Sequence, residues 1–150
     1  MYKYELINDF LKQKKIAVAG VSRSGKKFGN TVFNELKDKG YQAFAINPNS
    51  SAINGEPCYN SIADLPVAVD GMVMVVPPAH TIELAGQALK AGIKRIWLQP
   101  GSESQQVVDF CRQNGILCVS DECILMHLEP AKFIHRLHRW LKRLFTKTAG

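Results

Sequence analysis

Residues 20–30 read GVSRSGKKFGN, a segment whose residue types suit the capture of an anion. Gly20, Gly25 and Gly29 let the backbone approach a ligand closely, and Ser22 and Ser24 add hydroxyl donors. Arg23, Lys26 and Lys27 bring three positive charges to the same turn. An apolar run precedes the segment and a helical pattern from about Asn30 follows it. A helix starting there directs its unpaired N–H groups at the turn, where a phosphate would be held. The plainer alternative is a basic turn that only starts a helix. Convergence of glycine, serine and three cations at one strand–helix junction argues against it.

Two familiar signatures fit poorly. Gly20, Gly25 and Lys26 begin a GxxxxGK[ST] loop, but Lys27 stands where the Mg²⁺-holding hydroxyl belongs. Asp70 lies at the start of the third apolar run, not at its end where a second magnesium anchor would sit. The dinucleotide fingerprint GxGxxG has Ser22 in place of its second glycine. The second apolar run ends in Asn47 and Pro48, without an acid for a ribose. These departures disfavour a nucleoside triphosphatase. A small NAD(P)-dependent oxidoreductase or redox sensor stays as an alternative reading.

The remaining reactive groups are scattered. Cys58, Cys111, Cys118 and Cys123 have no CxxC spacing and read as reduced thiols, two of them in the core. Cys123 and His127 are four apart, but two ligands do not make a zinc site, and no metal is expected. His80, Asp121 and Glu122 read as helix-start and capping residues, so no catalytic residue is assigned.

Positioning falls to a regular alternation of elements. Apolar runs at 16–20, 41–47, 71–76, 95–99 and 116–119 read as strands. Helical patterns cover 30–39, 81–91 and 103–114, with one turn at 61–66, a loop at 49–60 and a last helical region at 124–145. Strands apolar throughout are buried on both faces, as in a parallel sheet flanked by helices. The expected fold is α/β: a doubly wound parallel sheet of about five strands with a C-terminal helix. Ligands in such sheets bind at the strand carboxyl ends, near the switch point.

Length predicts one domain, residues 1–129, carrying a basic amphipathic helix at 130–150 docked on it. No apolar run approaches the ~20 residues of a membrane span. The first residues carry acids and lack the apolar core of a secretory signal, so a cytoplasmic location is expected. Residues 1–129 hold 13 Lys/Arg against 13 Asp/Glu, and the net charge of +6 comes entirely from the last 21 residues. A neutral body argues against nucleic acid as partner. In the terminal segment Phe133, Leu137, Trp140, Leu141 and Leu144 recur at helical spacing, with Lys132, Arg136, Arg139 and Arg143 opposite. That pattern also fits an interaction protein whose basic helix meets an acidic partner or an anionic membrane surface. Oligomeric state is left open.

With these segments in place, the chain resembles the CoA-binding domain family, the Rossmann-like module also found at the start of the succinyl-CoA ligase α subunit. The resemblance covers roughly residues 12–128. It rests on Gly20, Val21 and Ser22 with Phe28, Gly29 and Asn30 downstream, on Ile46, Asn47 and Pro48, and on Gly55 to Pro57. Val75 to Pro78, Trp97 to Gly101 and Asp121 to Ile124 complete it. The resemblance implies that Gly20, Ser22, Arg23 and the helix start at Gly29 cradle CoA phosphates, and that Asn47 and Pro48 lie against the nucleotide. By the same resemblance Val76, Pro77 and Pro78 wall the adenine end, and Gln99 and Gly101 flank the pantetheine path. Ligase relatives carry a basic residue soon after the Asn-Pro equivalent, where this chain has Asn49, Ser50 and Ser51. The ligase's second domain, with its phosphorylated histidine, has no counterpart in these residues. The expectation is a stand-alone protein that binds CoA or an acyl-CoA, for binding, sensing or carriage.

Overall fold

The computed structural model describes residues 2–128. Helix α1 (Lys3–Leu11) opens the chain and was not foreseen; its Ile7 and Phe10 are buried. Strand β1 (Lys15–Ala19) follows, then α2 (Phe28–Asp38) and β2 (Gln42–Ile46). In α2 the buried Val32, Phe33 and Leu36 fall at helical spacing, which defines the stripe that packs on the sheet.

Residues 49–60, expected as a loop, instead contain a hairpin. Strand β3 (Ala52–Ile53) turns antiparallel into β4 (Glu56–Tyr59). Asn54 and Gly55 have φ of +50° and +78°, the left-handed pair that a two-residue hairpin turn requires. Strand β4 then runs parallel to β2, and the sheet grows from five strands to seven.

A one-turn helix at Ile62–Asp64 leads to β5 (Gly71–Met74), α3 (Pro78–Lys90), β6 (Arg95–Leu98), α4 (Gln105–Gln113) and β7 (Leu117–Val119). Strand order is β3-β4-β2-β1-β5-β6-β7, and every pairing except β3–β4 is parallel. The chain steps outward from β1 on one side and returns to begin the other side at β5. The switch point therefore lies between the carboxyl ends of β1 and β5.

Two apolar layers sandwich the sheet. Phe10, Val18, Leu36 and Trp97 belong to one, and Ala17, Met72, Met74, Leu98 and Val107 to the other. Ala85 and Ala88 are fully buried on α3, small enough to bring that helix close to the strands. Of the four thiols, Cys58 and Cys111 are buried and Cys118 and Cys123 half-buried. Cys111 and Cys118 interact directly: hydrogen bonding to Cys118 lowers the first thiol's pKa, and hydrogen bonding to Cys111 with burial raises the second's.

The last helical region, expected from Ile124, begins instead as a 3₁₀ turn at Ile124–Met126. The rest of that expectation, including the basic face at 130–150, lies outside the described residues. Among the described residues no helix is long and apolar enough to cross a membrane.

Helix α1 is fastened by polar contacts at both ends. Arg95 Nε donates to Asp9 at 2.7 Å, and Lys3 Nζ lies 3.2 Å from Glu122. Glu122 also meets His127 Nε2 at 2.8 Å. Burial pushes the Glu122 carboxyl up, but hydrogen bonds from His127 and Lys3 outweigh it and the net shift is downward. A lowered pKa stabilises the fold above the unfolded carboxylate value and is lost as pH falls through the carboxylate range. Glu122→Gln is therefore expected to lower the urea midpoint at about pH 7, by a deficit that shrinks as the pH is lowered toward about 3. An equal deficit at both values would refute the assignment.

Candidate functional site

Main chain alone forms the floor of the switch-point crevice. After β1, Gly20 adopts φ of +102°, and a Cβ placed there would lie 2.0 Å from the carbonyl oxygen of Val75. Val75 in turn donates its N–H to Ala19 O at 2.9 Å, so the two strand ends touch through backbone. Gly29, at the start of α2, packs onto the same spot; its Cβ would sit 2.3 Å from Gly20 O. A side chain at Gly20 would collide with the main chain of Val75, and one at Gly29 would push α2 off the end of β1.

Two asparagines frame the turn above this floor. Asn30 is 2% exposed; its Oδ1 accepts from Ser22 N at 2.9 Å and its Nδ2 donates to Ser22 O at 2.9 Å. Asn47 donates from Nδ2 to Val21 O at 2.8 Å, and its Oδ1 accepts from Asn49 N at 2.8 Å. Both amides are thus engaged in setting the shape of the turn. Ser22 and Ser24 share a hydroxyl contact of 2.8 Å, and Ser24 Oγ accepts from Lys26 N at 3.3 Å.

The helix ends carry the electrostatic argument. Helix α2 is preceded by Lys27 and α3 by Pro77; neither has a side-chain cap or an acid in its first turn. Asn30 N and His80 N turn back onto Lys27 O and Pro77 O, and Pro78 has no N–H, which leaves the N–H groups of Phe28, Gly29 and Ala79 for another acceptor. The other two described helices are served differently. Ser104 Oγ accepts from Val107 N at the start of α4, and Glu5 accepts from Tyr2 N at the start of α1. The two uncapped helices are those that begin at the crevice, so both positive dipole ends face it. Arg23, Lys26 and Lys27 are exposed on the turn, and no described carboxylate forms an ion pair with any of them.

The far wall is built from β5 and β6. Val76 N donates to the buried Ser102 Oγ at 3.1 Å, while Pro77, Pro78 and His80 are exposed at the head of α3. Gln99 is 1% exposed and turned inward; its Oε1 accepts from Ile124 N at 2.8 Å and its Nε2 reaches Cys123 Sγ at 3.5 Å. It ties the end of β6 to the segment after β7. Gly101, with φ of +96°, is exposed at the mouth, as is Pro48 on the β2 side. The structure thus gathers the named residues at one sheet edge, with Asn30, Asn47 and Gln99 in framing positions.

Sequence reading passed over Asn54, Asn60 and Ser102. Asn60 Nδ2 donates to the carbonyls of Asn47 and Ser50, each at 3.1 Å, bracing the segment after β2. Nothing local marks Asn60 or Ser102, whereas the Asn54–Gly55 pair was a readable hairpin signal. Asp70, set aside as a magnesium anchor, accepts from Lys14 N and Lys15 N at the opposite, amino edge of the sheet. Among the described residues no three metal-binding side chains come together. A groove of about 680 Å³, lined by Ile62, Leu65, Pro66, Val69, Lys90 and Ile93, also lies at the amino edge, because Val69 and Ile93 precede β5 and β6. It is separate from the crevice.

Fold and crevice together define a Rossmann-like α/β domain with a glycine-rich turn at its switch point. The chain belongs to the CoA binding domain family, whose profile matches residues 14–129. It is 28% identical over 123 residues to an ADP-forming acetate–CoA ligase I of Archaeoglobus fulgidus, covering 75% of this chain and 18% of that protein. The chain spans less than a third of the length of the ligases it first matches. A conserved hypothetical protein from Pyrococcus furiosus superposes with a TM-score of 0.70 at 39% identity, covering 74% of this chain and 96% of that one. A hypothetical protein from Pyrococcus horikoshii gives a TM-score of 0.80 at 27% identity, with 87% and 92% covered.

Proposed function

We propose that this chain binds CoA or an acyl-CoA at the switch-point crevice and acts by binding, sensing or carriage, without ligase activity. The observation that carries the reading is the pair of acid-free helix starts at α2 and α3, without side-chain caps, set around a floor where Gly20 and Gly29 let main chain pack against main chain. A diphosphate linkage supplies the acceptors these N–H groups need, and the cations at Arg23, Lys26 and Lys27 complement its charge. Exposed Pro77, Pro78 and Gly101 leave uncharged walls beside Val76 for the adenine and the thin pantetheine arm. Membership of the CoA binding domain family supports the same ligand. Near-complete coverage of the two Pyrococcus chains supports a role at this domain size.

Isothermal titration with CoA, acetyl-CoA, NAD⁺ and NADPH tests the reading. CoA binding in the micromolar range is expected, weakened about 10-fold by Arg23→Ala, the usual effect of removing one charge-assisted phosphate contact. A preference for NAD⁺ or NADPH would move the chain to the oxidoreductase reading. No binding of any of the four would overturn the crevice as a nucleotide site.

A further inference from the structure

We infer that the groove at the amino edge of the sheet is a self-association surface, on which two copies of this chain pair about a twofold axis. The segment entering β5 carries Leu65, Pro66, Val67 and Ala68 in succession, and the last three are exposed, Val67 by 38%. Consecutive apolar residues at a surface are costly unless another surface covers them. Only Val69 turns inward from this run, into the layer between the sheet and α3. Behind the run lies the groove of about 680 Å³. Buried Ile62, Val69 and Ile93 contribute to its lining, and Gln87, Lys90 and Ala91 close it on the other side. Helical spacing puts those three on one face of α3, turned away from Ala85 and Ala88, which are buried against the sheet.

An apolar ridge thus stands beside an apolar groove on one patch. A surface of that kind is its own complement: a copy rotated by a half-turn sets each ridge into the other's groove. The charges follow the same rule. Asp64, on the ridge side, accepts from Ser61 Oγ at 3.0 Å, and Lys90 stands on the helix side. Both are exposed, and neither forms an ion pair among the described residues. Pairing about a twofold axis through the groove brings Lys90 of each copy toward Asp64 of the other. A partner of another kind would have to bring a ridge, an acid and a base in this arrangement; a second copy has all three. Strands β5 and β6 begin at the groove and end at the crevice, so the pairing leaves both crevices open.

Sedimentation equilibrium of the full chain tests the proposal, and because it reads mass alone it stands whether or not CoA binds. The patch is smaller than the ~20–30 residues a side of a standard interface, so the dimer is expected to be weak, with a dissociation constant on the order of 10–100 µM. Val67→Arg, on the ridge, and Ala91→Arg, in the groove, should each raise that constant about 10-fold or more. Asp64→Lys and Lys90→Asp should each raise it about 5-fold or more by setting like charges against each other. The Asp64→Lys/Lys90→Asp exchange makes the pairs opposite again and should return it to within about 2-fold of wild type. All four positions are exposed, and circular dichroism melting checks that the variants fold. A chain that stays monomeric up to about 500 µM, as it would were another protein the occupant, overturns the proposal. So does a dimer that Val67→Arg and Ala91→Arg leave intact, or an exchange that fails to restore association.

Discussion

Gly20→Ala is expected to destabilise the protein by about 3–5 kcal/mol, through left-handed backbone strain together with overpacking. That is a fall in melting temperature on the order of 10 °C for a domain of this size. CoA binding should disappear in parallel. The two contributions arise at the same atom. At φ of +102° an alanine is strained wherever it stands, and here its Cβ would lie 2.0 Å from Val75 O. That oxygen belongs to main chain stitched to Ala19, so the obstruction cannot be relieved by rotating a side chain. Gly40→Ala supplies the control. Its φ is +90°, yet nothing lies within 4 Å of its Cβ position, so the cost should be about 1 kcal/mol with binding intact. Melting curves for the two variants that coincide would show that the close approach of β1 to Val75 is wrong.

Asn30→Ala should cost about 2–4 kcal/mol, because Ser22 N and Ser22 O would both lose their partner at a buried position. Its effect on CoA should be larger than the fold loss suggests, about 10-fold or more in affinity. The turn would then have to be ordered at the moment of binding instead of beforehand. Asn30→Asp separates the two effects. It keeps the acceptor for Ser22 N and suits the first turn of α2, but puts a negative charge beneath the anion site. Urea denaturation should find it closer to wild type than the alanine variant, while titration finds CoA binding impaired at least as severely. An alanine variant with full affinity would mean that the turn is shaped by something other than this amide.

Most of the sheet is legible in the sequence because its strands are apolar runs buried on both faces. Residues 16–19, 71–74 and 95–98 leave little choice, and Gly40, Gly92 and Gly115 mark helix ends by their left-handed φ. The hairpin was harder to see. Ala52 and Ile53 are too short a run to show alternation, and the partner strand contains Pro57, which lowers any strand reading. Only Asn54–Gly55 betrays it. Helix α1 carries Leu6, Ile7, Phe10 and Leu11 at helical spacing and could have been read. Its role depends on Trp97 and Glu122, about a hundred residues away, and those contacts have no local signature.

The site was visible as composition and placement, but the division of labour within it was not. Asn30, Asn47 and Gln99 sit where ligand-touching residues would be expected, yet their amides bond to Ser22, Val21 and Ile124. Only the folded arrangement shows that these side chains hold the turns of the crevice in shape. The uncapped starts of α2 and α3 were partly readable, since neither Lys27 nor Pro77 is a capping residue. What the fold adds is that β1 and β5 are neighbours, so the starts of α2 and α3 share one crevice.

The shortness of the outermost strands has a consequence for self-association. One margin ends in the two residues of β3, beside a strand whose Pro57 has no N–H to offer, and the other in the three residues of β7. Neither exposes a run of free peptide groups long enough to template an incoming chain. A sheet this wide and this apolar would otherwise invite edge-to-edge polymerisation. Among the described residues, then, helices and loops offer more surface to a copy of the chain than either margin of the hydrogen-bonded ladder.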